Sequence, residues 1–231
     1  MMRKSRNSGR RSAVIAGVLL IAGFVTGIGS VVPVIDGADY LVEASANGSQ
    51  VLIGAFFQLL MVAAYAGIPI LLYPILRKHN QGLALGSVAF GIIAGVFIII
   101  GVIVLLLLLT LSQEFAKGGA PNISYFQVLG GLLREGRDLV NHVATTLSFV
   151  WAMFLFNRIF YQARLVPRWL SVWGLLGSAL SIAASLLFMI RFIGLDAAYM
   201  MLNIPIAFQQ LVLAIWLIGK GFNPTERDSV S

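Results

Sequence analysis

Hydrophobic residues fall into six long, nearly unbroken runs, at 12–35, 51–75, 83–111, 139–161, 169–190 and 197–218, separated by short polar stretches. An α-helix rises about 1.5 Å per residue and the hydrocarbon core of a bilayer is about 30 Å thick, so roughly 20 apolar residues make one crossing. Each run reaches that length. In lipid the backbone must satisfy its own hydrogen bonds, which leaves helices or a closed barrel, and a barrel would show short alternating strands. The pattern predicts an all-α, polytopic membrane helical bundle of six transmembrane helices, organised as one integral membrane domain over residues 1–231.

Composition excludes the soluble alternative: 59% of the 231 residues are hydrophobic and 11% charged, with a mean hydropathy of +0.92. A soluble domain carries about 25% charged residues. The distribution of those charges sets an expected orientation, because cytoplasmic loops collect Lys and Arg. Six crossings put both termini on one side, together with Arg77, Lys78, Arg158, Arg164, Arg168 and Lys220. With Arg3, Lys4, Arg6, Arg10, Arg11 and Arg227, that side holds twelve of the 16 cationic residues. The other side holds Lys117, Arg134, Arg137 and Arg191, and seven of the nine carboxylates. Both termini are expected in the cytoplasm, with the protein a multi-pass component of a bacterial plasma membrane. This asymmetry also accounts for the pI near 10.1, so nucleic acid is not an expected partner. The lipid bilayer is, and a membrane-protein partner or a second copy stays open. The first run reads as a retained span rather than a signal peptide. It is longer than the usual apolar region of about 7–15 residues, and the small-residue stretch Ala44-Ser45-Ala46 lies well beyond its end.

The links at 76–82 and 162–168 are short and basic, which predicts antiparallel neighbours for spans two and three and for spans four and five. The links on the other side are longer. Residues 36–50 read as a polar loop. Residues 112–138 contain a break at Gly118 to Pro121, then an apolar stretch, 125–133, expected to lie at the interface. Gly23 and Gly27 in span one, and Gly91 and Gly95 in span three, allow close backbone approach within the bundle. Pro69, Pro74 and Pro205 remove backbone donors inside spans two and six.

Chemistry has few places to sit. The chain has no cysteine and only His79 and His142 as imidazole ligands, which argues against thiolate sites, iron-sulfur clusters and multi-histidine metal centres; no metal or cofactor is expected. There is no H-E-x-x-H, G-x-S-x-G, P-loop or G-x-G-x-x-G. Intramembrane polar residues are costly and so mark candidate sites. Arg134, Asp138, Asn141, His142, Thr145 and Ser148 or Phe149 follow three-and-four spacing, which predicts one polar stripe on span four, with Asp138 close enough to hold the His142 imidazole. Such a stripe could serve as a pathway, a base or a ligand site, but the favoured reading is an interfacial cap, because Asp138 stands near the span boundary where polar groups cost little. Asn203, Gln209 and Gln210 in span six, and Gln58 and Tyr65 in span two, suit interhelical hydrogen bonds and could also line a pocket. The candidate ligand or pathway set is Asp138, Asn141, His142, Thr145, Gln209 and Gln210.

Three stretches carry a resemblance: Leu72-Tyr73-Pro74-Ile75-Leu76-Arg77-Lys78-His79, Leu165-Val166-Pro167-Arg168-Trp169-Leu170-Ser171-Val172-Trp173-Gly174, and Leu213 to Asn223 with its W-L-x-x-K-G-F ending. They resemble the bacterial membrane proteins of the domain of unknown function 4386 family, over nearly the whole chain. The resemblance implies a small polytopic membrane protein and no particular reaction. Members of that family often carry an Arg and a Glu three residues apart where this chain has Gly91 and Ala94, and a Glu where it has Gln210. These departures make a proton-coupled or acid-base mechanism a weaker expectation here. The leading expectation is a non-enzymatic accessory protein or a binder of a small apolar or lipid-like ligand. The alternatives are a small-solute transporter or channel lined by the candidate set, and a membrane-embedded enzyme in which Asp138 orients His142 as base.

The orientation is testable with C-terminal fusions in a bacterial host. A green fluorescent protein fused after Ser231 should fluoresce and an alkaline phosphatase at the same point should be inactive; the opposite pair of readings would invert the topology.

Overall fold

The computed structural model describes residues 2–117 and 123–223, with side chains from Gly9 onward. The expected break at Gly118 to Pro121, residue Arg227 and the side chains of Arg3, Lys4 and Arg6 lie outside the described residues. In chain order the helices are α1 (Met2–Gly29), α2 (Tyr40–Ala46), α3 (Gly48–Leu76), α4 (Gln81–Lys117), α5 (Ile123–Asp138), α6 (Thr146–Ala163), α7 (Arg168–Met189) and α8 (Ala197–Gly219). A π-helical turn, Leu139–Thr145, joins α5 to α6 without a break. No strand occurs among the described residues. Among the described residues six helical stretches are long and apolar enough to cross a membrane: Gly9–Gly29, Gly48–Leu76, Gln81–Lys117, Ile123–Ala163, Arg168–Met189 and Ala197–Gly219.

Each spanning helix packs against the next in the chain, and α8 returns to α1, so the six form a closed ring; across it α6 leans on α3. Small residues set the closest approaches. A Cβ at Gly17 would lie 2.7 Å from the Ala214 carbonyl oxygen, and one at Gly91 would lie 2.5 Å from Pro69 Cγ and 2.8 Å from the Tyr65 oxygen. Tyr65 stands four residues before Pro69, so its carbonyl lacks the usual helical donor. At the end carrying the termini, Arg10 closes the ring. Its guanidinium donates to the carbonyls of Ile218 at 2.8 Å, Gly219 at 2.9 Å and Leu217 at 3.4 Å, which as the last carbonyls of a helix have no intrahelical donor. Gly221, at φ +76°, lets the chain turn past this contact. Asn223 then donates from its backbone to Leu165 O at 2.8 Å and from its side chain to Arg164 O at 3.0 Å. Along the ring axis this end is filled by Met153, Phe156, Phe160, Leu213 and Leu217, each at most 1% exposed.

The opposite, far end differs from the sequence expectation. Residues 112–117 and 123–138 are helical where a loop was expected: α4 runs to Lys117, and α5 continues directly into a spanning helix. With 37 residues in α4 and 41 in Ile123–Ala163, these helices extend about 55–60 Å, well beyond a 30 Å core. They stay helical because they find partners. The polar link 36–50 also contains a helix, α2, which buries Tyr40, Leu41 and Ala44 on one face. Those residues join Val51 and Ala55 of α3, Leu105, Leu108 and Leu109 of α4, and Phe126 and Leu133 of α5 in a second core. Arg134 lies over the Tyr40 ring at 4.7 Å and donates to the Asp36 and Gly37 carbonyls at 2.7 and 3.2 Å. Burial pushes the Tyr40 hydroxyl above its usual pKa, and this guanidinium offsets part of the rise.

Glycine positions separate packing from open space. A Cβ at Gly17 meets backbone, whereas one at Gly27 meets nothing within 4 Å. Gly17→Leu should cost about 1–3 kcal/mol through overpacking and lower the unfolding temperature in detergent, while Gly27→Leu should leave it unchanged. Equal losses at both positions would contradict the ring closure described here.

Candidate functional site

Where α5 passes into α6 the helix takes in one extra residue. The inward face of α5 is built on Phe126, Gly130, Leu133 and Arg137, and a regular helix would carry that face on through Asn141, Ala144 and Ser148. The observed core face of α6 is Phe149, Met153, Phe156 and Phe160, displaced by one position. The π turn Leu139–Thr145 absorbs the difference, and Thr146 Oγ1 donates to the Asn141 carbonyl five residues back at 3.0 Å. Such turns are often found at functional sites.

The candidate set divides among several interfaces. Asp138 faces Arg137, with 3.9 Å between Nη1 and Oδ1. Asn141 turns toward Gly101 of α4, where an added Cβ would lie 2.5 Å from its Oδ1. His142 turns instead to α7 and α8: Nδ1 lies 3.3 Å from the Tyr199 hydroxyl, and the ring stands edge-on to Tyr199 and Phe188. Thr145 is buried, and its hydroxyl finds no hydrogen-bond partner among the described residues. Gln209 is fully buried nearer the terminal end, donating to Asn157 Oδ1 and to Leu170 O, each at 3.3 Å. Gln210, one residue on, lines a cavity.

That cavity, about 360 Å³, is a wedge between the far halves of α1 and α8. These helices touch closely at Gly17 and separate toward the far end. Gly177 of α7 admits the Ile206 backbone, which an added Cβ would meet at 3.0 Å, and Asn203 of α8 accepts from Ser181 of α7 at 2.5 Å, so α8 leans toward α7 and away from α1. Pro205 lies between the two contacts and frees a backbone carbonyl one turn back. The wall on the α1 side is Gly23, Phe24, Gly27 and Ile28, with Val31 just past the helix end. The opposite wall is mixed: Thr146, Ser181, Asn203 and Gln210 bring polar groups, and Ile206 and Ala207 apolar ones. The inner surface is formed by Tyr65 stacked on Phe149, with ring centroids 3.8 Å apart, and by Val150. No Asp, Glu, Lys, Arg or His lines it.

Behind the polar wall runs a seam of uncharged groups. Ser171, Ser178, Ser181 and Ser185 occupy one face of α7, each 0% exposed. Tyr199 donates to the His142 carbonyl at 3.3 Å, and the Ser185 hydroxyl lies beside it without closing a hydrogen bond. Sequence reasoning had singled out Asn203 and Tyr65 but missed Thr146, Ser181 and Tyr199. The serine spacing of seven, three and four was the signal available for that face. A second hollow of about 380 Å³, lined by Glu135, Leu139, Phe188 and Arg191 among others, lies at the far surface. Its charged pair, Arg191 and Glu135 at 3.1 Å, is exposed and of a kind worth about 0–1 kcal/mol. The wedge, where buried Ser181 converges with half-buried Thr146, Asn203 and Gln210, is the better candidate site. Among the described residues no three or more His, Asp or Glu side chains converge as a metal-binding group would require.

Residues 15–221 match the domain of unknown function DUF4386. The chain belongs to this family. No curated protein and no solved structure matches it. Within this DUF4386 protein, the stretches that carry the resemblance map to turns and helix ends rather than to the wedge. Arg164, left-handed at φ 53°, ends α6, and Pro167 precedes α7. Gly221 ends α8, and Phe222 packs on Phe160 at 5.8 Å.

Neighbouring residues give a direct check of side-chain placement, since the chain has no native thiol. Gln210→Cys should react with a membrane-permeant maleimide at least tenfold faster than Gln209→Cys. Faster labelling at 209 would mean that α8 is rotated from the orientation described.

Proposed function

We propose that this protein is a non-enzymatic membrane component of the bacterial plasma membrane that holds a small apolar or lipid-like molecule in the wedge between α1 and α8, with both termini in the cytoplasm. The observation that carries this reading is that the wedge is blind. Its inner surface ends at Tyr65, Phe149 and Val150, and beyond them Met153, Phe156 and Phe160 fill the ring. A volume of about 360 Å³ falls in the range of small-molecule sites, roughly 300–1,000 Å³, and the mainly apolar lining with a few polar groups is the usual composition of such sites.

A second reading, a small-solute transporter, draws on the buried polar seam, where Ser171 Oγ and Gln209 Oε1 have no hydrogen-bond partner among the described residues. It predicts saturable flux of a polar solute in proteoliposomes, altered by His142→Ala and Asp138→Asn. An enzymatic reading has less support, because Asp138 is paired with Arg137 while His142 meets Tyr199.

Native mass spectrometry separates the first two readings. The wild-type protein, released gently from its membrane, should carry a bound small lipid or apolar molecule. Gly27→Phe, which places a ring in open space, should reduce that occupancy at least tenfold with the unfolding temperature unchanged. Bare wild-type protein together with saturable polar flux would overturn the binding reading in favour of transport.

A further inference from the structure

We infer that the occupant of the wedge is an uncharged, single-chain amphiphile drawn from the bilayer, with its hydrogen-bonding head against α7 and α8 and its chain along α1. The inference rests on the binding reading above and adds the chemistry of the ligand. The two walls differ in kind. The α1 wall offers glycine and apolar side chains only, whereas hydroxyl and amide groups of Thr146, Ser181, Asn203 and Gln210 face it from the other side. With no Asp, Glu, Lys, Arg or His in the lining, a charged head would leave water without acquiring a counter-charge, and that penalty is severe in a low-dielectric site. A hydroxyl or amide head would instead exchange hydrogen bonds with groups that both donate and accept.

The rim indicates the source. Ile28 on α1 and Val31 just past its end line the wedge and are 63% and 61% exposed, and half-buried Ala207 lines it from α8. An opening edged by apolar side chains on two spanning helices is continuous with lipid tails. The volume, about 360 Å³, equals that of roughly a dozen waters at about 30 Å³ each, which suits one short chain, whereas a two-chain phospholipid would leave most of itself outside.

Photo-crosslinking in lipid nanodiscs tests this with diazirine-bearing decanol and decylurea, uncharged with small and bulky heads, against decyl sulfate and decyltrimethylammonium, which stay charged at every working pH. The uncharged pair should label α1 and α8 around the wedge at least tenfold more than either ion, and Ser181→Ala combined with Asn203→Leu should erase most of that preference. If either ion labels the wedge as strongly as decanol, the inferred head chemistry is wrong while the binding reading stands. If none of the four labels it, and Gly27→Phe and Ala207→Trp leave every labelling pattern unchanged, the binding reading fails with it.

Discussion

Closure of the helical ring at the terminal end is the constraint on which the other features depend. Helices in lipid gain no hydrophobic free energy by associating with one another, so contact between them is set by close packing and by polar groups. The first and last helices supply both at one place. Gly17 brings the α1 backbone against the Ala214 carbonyl, and Arg10 satisfies carbonyls at the end of α8 that have no helical donor. Because that junction is fixed at one end only, the attraction of α8 for α7 through Gly177, Ser181 and Asn203 opens the other end. The wedge is a geometric consequence of two incompatible preferences along one helix.

The far end adds a second core, and the π turn reconciles it with the first. The face of α5 that covers α2 and α4 and the face of α6 that fills the ring are out of phase by one residue. A regular helix could satisfy one of them. The extra residue costs one stretch of less favourable hydrogen bonding and lets both faces bury. Within this turn Asn141 faces α4 and His142 faces α8. The polar side chains of this segment thus serve three interfaces, and the cavity takes its polar groups mainly from α7 and α8.

Spans, fold class and family were legible in the sequence because each depends on run length and composition, which survive any detail of packing. The site was legible only in part. Counting in threes and fours along span four assumes a regular helix, and the count fails at the π turn, which nothing in the residue pattern from Leu139 to Thr145 announces. Polarity alone could not distinguish Gln209 from Gln210, since adjacent helical residues point about 100° apart and the burial of either depends on which neighbour α8 approaches. Residues 36–50 were misread for a related reason. Their composition is that of a loop, but Tyr40, Leu41 and Ala44 form a helix once α4 and α5 provide a surface to cover.

The character of the buried polar groups bears on what such a protein can recognise. In the spanning helices serine and threonine mostly donate to a carbonyl of their own helix, as Ser178 does to Gly174, Ser148 to Ala144 and Thr26 to Ala22. Those hydroxyls are already satisfied and spend little of their hydrogen-bonding capacity across interfaces. The side chains that reach between helices include amides and phenols, as in Asn157 with Gln209, Asn203 with Ser181, and Tyr199 with His142, and also Ser87 and Ser112, which donate to the Ala152 and Leu41 carbonyls. Each pair links two helices through dipoles rather than opposite charges. Arg137, the most buried charged side chain among the described residues, stands at the junction with the far-end core and outside the wedge. On the proposed binding reading, a wedge organised in this way would discriminate by shape and by the number of hydrogen bonds a molecule can exchange. Its lining holds no Asp, Glu, Lys, Arg or His to compensate a net charge, so on that reading selectivity against ions follows from the same use of dipoles that links its helices.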